Sequence, residues 1–282
     1  MVVRMKEIIK NSGKRLPGII LPILLILAPD ASATIASQNE EVSSELMIVI
    51  NLPAYNLKLY WGDELLRTYQ VAIGSPKYPT PSGKKSIHQV ILNPWWYPPK
   101  DSEWAKDAED TPPGADNPLG RVKLPLEGGG YYLLHGTSNP GSIGKAVSHG
   151  CIRLKNADII ELADIVLALV PNRYQGKDIS KYREDNSRTH LVNLELPVRV
   201  KIKYETIEVK DSQVLIHPDI YRKGANSMTA LLRELAATQI NAELIDEENL
   251  APYLKKSRQG TQQISLAQIM AVELKRLNLA MM

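Results

Sequence analysis

Apolar positions along the chain recur with two different spacings, and the spacing changes from one end to the other. Leu46 to Asn51 is an almost unbroken apolar run with the length of one buried strand. Leu57 to Trp61 alternates in part, Gly62-Asp63 supplies turn chemistry, and Leu65 to Ile73 follows, which predicts a hairpin. Gly74 to Gly83 holds three prolines and two glycines, so it predicts a rigid surface loop. Asn93 to Gly120 continues in that style, with Trp95, Trp96, Tyr97, Trp104 and six prolines. Loops of this length in a compact domain are functional or disordered, and the aromatic content argues for function. Tyr131 to Leu134 predicts a buried strand ending at His135-Gly136.

Beyond Leu154 the period lengthens. Ile159, Ile160, Leu162, Ala163, Val166, Leu167 and Val170 follow helical spacing, with Asn156 or Asp158 available as cap and Pro171 as terminator. Gln175 to His190 is charged and poor in apolar residues, an exposed connection. Leu196 to Tyr204 alternates apolar and basic residues, as an antiparallel strand with one wet face would, and Gln213 to His217 and Pro218 to Tyr221 are candidates to pair with it. Met228 to Leu235, Glu247 to Lys256 and Ser265 to Leu277 are helical by period, with Ser265 and Gln268 fitting a capping box. The pattern therefore predicts a mainly β molecule with one or two helices, and a small C-terminal helical appendage over 226–282.

The 282 residues, 44% of them apolar, suffice for one large domain or two modest ones. Arg4, Lys6, Lys10, Lys14 and Arg15 precede the apolar run Gly18 to Ala28 and then Ala31-Ser32-Ala33, the layout of an export signal over 1–33. The apolar run is short for a membrane span, so cleavage after Ala33 is expected, with an uncleaved anchor as the alternative. Without that leader, which carries the whole net charge of +3, the chain is neutral. A basic stripe for nucleic acid or anionic lipid is therefore not expected, and membrane association is expected only through the signal.

An exported protein with a single cysteine cannot form an intramolecular disulfide, which leaves Cys151 as a reactive group, an intermolecular bridge or a buried small hydrophobe. Its neighbours carry chemistry. His135-Gly136-Thr137 lies sixteen positions upstream of Cys151, and Ser148-His149-Gly150 immediately precedes it. A loop over Thr137 to Val147 can fold back to set the strand end beside the thiol, which an imidazole or backbone amide would help to ionise. Gly150 permits a sharp turn that aims amides at a carbonyl oxygen, and Arg153 offers a planar fork for a carboxylate. His149 competes with His135 for the role of base, because side chains two apart on extended chain share a face. Each residue also has a plain structural reading: Cys151 as core, Arg153 as surface charge, Trp95 and Trp96 as filler. No second cysteine completes a zinc site, and His88, His190 and His217 have no companions at ligand spacing.

Together, His135-Gly-Thr137 and Ser148-His-Gly-Cys-Ile-Arg-Leu154 resemble the signature of the bacterial cell-wall L,D-transpeptidases. Ile48 to Leu52, Leu57 to Tyr60, Thr80-Pro-Ser-Gly83 and Asn93 to Pro99 are also similar to family segments. The likeness covers 46–175 and continues more weakly from Pro197 to Tyr221, while Asn226 to Met282 matches nothing. The resemblance implies a sandwich-like catalytic domain over 46–175, extended by β structure over 176–225. It implies an enzyme, without metal or organic cofactor, that acts on peptidoglycan stem peptides in the periplasm or cell wall. Cys151 would be the nucleophile and His135 the proton acceptor and donor. His149 and Gly150 would serve the oxyanion or orient the site, and Arg153, Ser148, Thr137 and Gly136 would bind substrate. The acyl group would pass to a second stem, making a 3-3 cross-link, or to a protein being attached to the wall. A hydrolase of carboxypeptidase or endopeptidase type would use the same residues, and a non-catalytic wall-binding protein would leave the thiol inert.

Overall fold

In the computed structural model, which describes residues 44–128, 131–175, 177, 187–238 and 247–269, one eight-stranded sheet organises the chain. Strands β1 (Leu46–Asn51), β2 (Asn56–Trp61) and β3 (Glu64–Gln70) form an antiparallel meander. The short β4 (Ile73–Gly74) leads to β5 (Gly83–Leu92), then β6 (Val122–Leu126), β7 (Tyr132–His135), β8 (Ala146–Ser148) and β9 (Ile152–Arg153). Helix α1 (Asn156–Leu169) follows, and β10 (His190–Lys203) returns to the middle of the sheet. The order is β3-β2-β1-β10-β5-β6-β7-β9, with β10 parallel to β1 and β9 parallel to β7.

Burial follows the period-2 pattern. Leu46, Ile48 and Ile50 of β1, Leu57 and Leu59 of β2, and Val198, Val200 and Ile202 of β10 all point into the core, each burial stabilising the fold by roughly 1.5–3 kcal/mol. Arg199 and Lys201 of β10 face water, so the alternation reads one wet face correctly. The sheet curls until its ends meet: Ala72, just beyond β3, exchanges two 2.9 Å backbone bonds with Arg153 of β9. Helix α1 buries Ile159, Leu162, Ala163, Ile165 and Val166 and packs against β6. The molecule is thus mainly β with few helices, as the pattern predicts.

Several details differ from the sequence reading. Strands β5 and β6 fill stretches to which the pattern gave no element, and β10 begins at His190, inside the supposed connection. The partners of β10 are β1 and β5, not Gln213 to Tyr221. Instead β12 (Gln213–Ile216) pairs with β11 (Ile207–Lys210) on one side and β13 (Gln262–Ser265) on the other, so the C-terminal segment contributes a strand as well as helices α2 (Met228–Ala236) and α3 (Glu247–Lys256). Ile207, Val214, Ile216, Leu231, Leu235, Leu250, Ile264 and Ile269 form its core, and a boundary at 225 would cut through that cluster. The capping box is present: Ser265 Oγ accepts the Gln268 N–H at 3.1 Å, and Gln268 Oε1 accepts the Ser265 N–H at 3.1 Å. The leader over 1–33 and the part of the expected Ser265–Leu277 helix beyond Ile269 lie outside the described residues. Among the described residues no helix is long and apolar enough to cross a membrane.

Candidate active site

The register of two short parallel strands creates the site. Leu134 of β7 pairs with Ile152 of β9 and His135 with Arg153, and the Leu154 N–H donates to the His135 carbonyl at 2.9 Å. Side chains directly across a parallel pair share a face, and so do residues two apart on one strand. His135 and Arg153 therefore face the same side, with Cys151 just before β9. The loop from Thr137 to Val147 does fold back, as its length predicted.

His135 is 4% exposed, and its Nδ1 lies 2.6 Å from the Gly136 carbonyl. A carbonyl only accepts, so Nδ1 carries the proton and Nε2 of the neutral ring keeps its lone pair. Burial, with the Arg153 charge second, pushes the imidazole down to about 4. Burial also pushes the half-buried Cys151 thiol up, while a backbone hydrogen bond from Leu133 and the Arg153 charge pull it down. Both shifts favour a neutral thiol and a neutral imidazole at rest. Arg153 is itself pulled down by burial, and its buried Nε has no hydrogen-bond partner among the described residues.

The turn around Cys151 is held from within. Gly150 adopts φ +106°, and a Cβ there would come within 2.7 Å of the Tyr132 ring. Ser148 is 1% exposed; its Oγ donates to the Cys151 carbonyl at 2.5 Å and accepts the Gly150 N–H at 3.1 Å. The Gly150 amide is thereby occupied, which corrects its expected place at an oxyanion. Gly136 and Thr137 are tied into the surrounding structure. A Cβ on Gly136 would fall 2.2 Å from Asn156 Oδ1. Buried Thr137 accepts the Asn139 N–H at 3.0 Å through Oγ1 and exchanges backbone bonds with the Asn156 side chain.

His149 stands apart from His135. Its exposed ring stacks on Trp104 at 3.9 Å between centroids and 9° between planes, and Tyr78 tilts against it at 4.7 Å. Burial and the charges of Arg153 and Lys77 lower its pKa. The long aromatic loop thus does reach the site, but through Trp104, whereas Trp95 stacks on Tyr97. Asn117, fully buried, fixes that loop by donating from Nδ2 to the Pro94, Thr111 and Pro112 carbonyls. Sequence reasoning named Trp104 only as one aromatic of a functional loop and Asn156 only as a helix cap, and it gave Tyr78 no role. Thr80-Pro-Ser-Gly83 was noted for its family likeness and given no task. Among the described residues no group of three or more His, Cys, Asp or Glu side chains is placed to hold a metal ion.

The sequence model of the YkuD L,D-transpeptidase catalytic domain matches residues 45–221 of this chain. The chain belongs to the L,D-transpeptidase family. Among its relatives, YkuD of Bacillus licheniformis, assigned as an L,D-transpeptidase, is 39% identical over 119 residues, 42% of this chain and 59% of that protein. YcfS of Escherichia coli, assigned likewise, is 32% identical over 167 residues, 55% of this chain and 51% of that protein. The chain thus spans between half and three-fifths of the length of these curated relatives. Among solved structures, an L,D-transpeptidase from Mycobacterium smegmatis aligns with TM-score 0.35 and 18% identity, over 57% of this chain and 59% of that one. The catalytic domain of the Enterococcus faecium L,D-transpeptidase aligns with TM-score 0.36 and 15% identity, over 56% of this chain and 96% of that one. The L,D-transpeptidase match ends at Tyr221, so it takes in β11 and β12 but not α2, α3 or β13.

Proposed function

We propose that this chain is an exported L,D-transpeptidase that moves peptidoglycan stem peptides through a thioester on Cys151. The observation that carries the reading is the β7–β9 register, which gives a Nδ1-protonated His135, Arg153 and Cys151 a common side of the sheet. His135 Nε2 takes the thiol proton as Sγ attacks the carbonyl carbon of the third stem residue. Because thiol and imidazole are neutral at rest, proton transfer accompanies attack. The Leu133 backbone and the Arg153 charge stabilise the thiolate as it develops. The carbonyl oxygen becomes an oxyanion facing the His149 and Cys151 amides. Collapse breaks the amide bond, His135 returns its proton to the departing D-alanine amine, and the thioester remains. An amine from a second stem then gives its proton to His135, attacks the thioester and releases Cys151 as thiol. Arg153, with its buried and unpartnered Nε, takes a stem-peptide carboxylate in a two-pronged contact. Exposed His149 and Trp104, with half-buried Tyr78, supply a wall against which the stem lies.

Purified disaccharide-tetrapeptides test this reading. The expected products are cross-linked dimers plus free D-alanine, lost in Cys151→Ser and reduced at least about a hundredfold in His135→Gln. Tripeptides without dimers would replace the transferase reading with hydrolysis, and unchanged substrate would leave only the wall-binding reading.

A further inference from the structure

The mechanism above leaves one buried network unused. Thr80, 2% exposed, accepts the Gly74 N–H at 2.8 Å through Oγ1 and donates the same hydroxyl to the Gly150 carbonyl at 2.9 Å. The Tyr221 hydroxyl closes the ends of the 74–80 loop: it donates to the Gly74 carbonyl at 2.9 Å and accepts the Thr80 N–H at 3.1 Å. The loop lies against the nucleophile's turn, with Gly74 opposite Ser148 and the Ser75 N–H on the Ser148 carbonyl at 2.8 Å. Tyr221 is held in turn. Its N–H donates to the Tyr204 hydroxyl at 2.7 Å, that hydroxyl donates to Asp219 Oδ1 at 2.7 Å, and the two tyrosine rings stack at 5.4 Å.

The consequence lies in one peptide unit. The Gly150 carbonyl and the Cys151 N–H belong to the same planar trans amide and point in opposite directions. A hydroxyl fixed on the carbonyl therefore fixes the aim of the N–H. Gly150, at φ +106° and without a Cβ, has little of its own to hold that plane. We infer that Thr80 and Tyr221 are positioning residues that orient the Gly150–Cys151 peptide so that its N–H meets the oxyanion formed on the substrate carbonyl. The inference rests on the thioester chemistry proposed above. Neither side chain touches substrate, and neither acts on the thiol.

Two reactions of the same sulfur separate this role from general support. Acylation by imipenem forms an Sγ–C bond at a carbonyl, passes through an oxyanion and opens the lactam C–N bond, whose nitrogen takes the proton. Alkylation by iodoacetamide displaces iodide and forms no oxyanion. In full-length Thr80→Val and Tyr221→Phe, acylation is expected to slow by about ten- to a hundredfold, the range for small misplacement of a catalytic group. Alkylation across pH 6–9 should stay within about twofold, and Thr80→Ser, which restores the hydroxyl, should recover acylation. If Thr80→Val does not fold, Tyr221→Phe carries the test, since the ring and its stacking remain. Parallel losses in both reactions, or none in either, would overturn the inference while leaving the thioester reading intact. A wild-type chain that alkylates at Cys151 but never acylates would remove that reading, and the inference with it.

Discussion

His135 carries the proton bookkeeping of the site, and its environment makes a distinctive pH signature. With the ring pushed down to about 4, the base remains available well below the ordinary imidazole value of 6.5. The acid limb of Cys151 acylation should therefore fall near pH 4; a limb at 6.5 in the pH–rate profile would assign the proton to a solvated histidine. Stability follows the same group. Below pH 6.5 the unfolded chain binds a proton that folded His135 refuses, so stability declines as pH drops from 6.5 toward 4. Thermal unfolding of His135→Gln should lose that part of the decline. Gly150 gives a second prediction at this scale. Gly150→Ala places a Cβ 2.7 Å from the Tyr132 ring in a left-handed backbone, and should cost more than about 2 kcal/mol in denaturant unfolding together with most acylation. Single residues were also where the sequence spoke most clearly: the spacing of Cys151, His135 and Arg153 led to the expectation of a strand end beside the thiol, and the β7–β9 register pairs His135 with Arg153. What it could not show was that His149 spends its ring on Trp104 and Tyr78, because Trp104 is 45 positions away in sequence and only folding brings them together.

Between residues and fold, the elements that aim His135 are β7 and the start of α1. Asn156 was legible as a helix cap, but Lys155 is the N-cap, with no side-chain bond, and Asn156 turns away. Its Oδ1 accepts the Arg121 and Thr137 N–H groups at 3.1 and 3.3 Å, and its Nδ2 donates to the Thr137 carbonyl at 3.1 Å. One side chain thus ties the turn before β6 to the turn after His135. Asn156→Ala leaves those groups unpaired and should cost about 2–3 kcal/mol, a melting shift of several degrees by calorimetry, with slower acylation. Strands β5 and β6 escaped the pattern for separate reasons. The first opens with Gly83-Lys-Lys-Ser and then buries Val90, Ile91 and Leu92 in succession, so no alternation is sustained. The second contains Pro125, a residue that argues against a strand, accommodated here opposite Leu133. The bulge between Asn193 and Val198 similarly breaks the period of β10 and hid its first half.

At the scale of the whole molecule, one carboxylate joins the three-stranded sheet to the main sheet. Glu208 of β11 accepts from Asn51 Nδ2, lies 3.5 Å from His217 Nε2, and pairs with Lys58 Nζ at 3.7 Å. The nearby His217 imidazole above all, with the Asn51 amide and the Lys58 charge and against the cost of burial, pushes its pKa down to about 2. A carboxylate depressed in the folded state stabilises above its unfolded value of 4.5, and that contribution fades as pH falls toward 2. Glu208→Gln should thus be less stable than wild type by on the order of 2 kcal/mol at pH 7, and the gap should close in acid. This link was invisible in the sequence because Asn51 and Glu208 are 157 positions apart and lie in different sheets. At the centre of the chemistry proposed for this chain, an acyl group travels on Cys151. Acid-quenched intact mass during turnover of a disaccharide-tetrapeptide, followed by peptide mapping, addresses it directly. The expected result is an adduct of the disaccharide-tripeptide acyl group on Cys151, absent in Cys151→Ala. Turnover with no adduct on that residue, or turnover undiminished in Cys151→Ala, would contradict it.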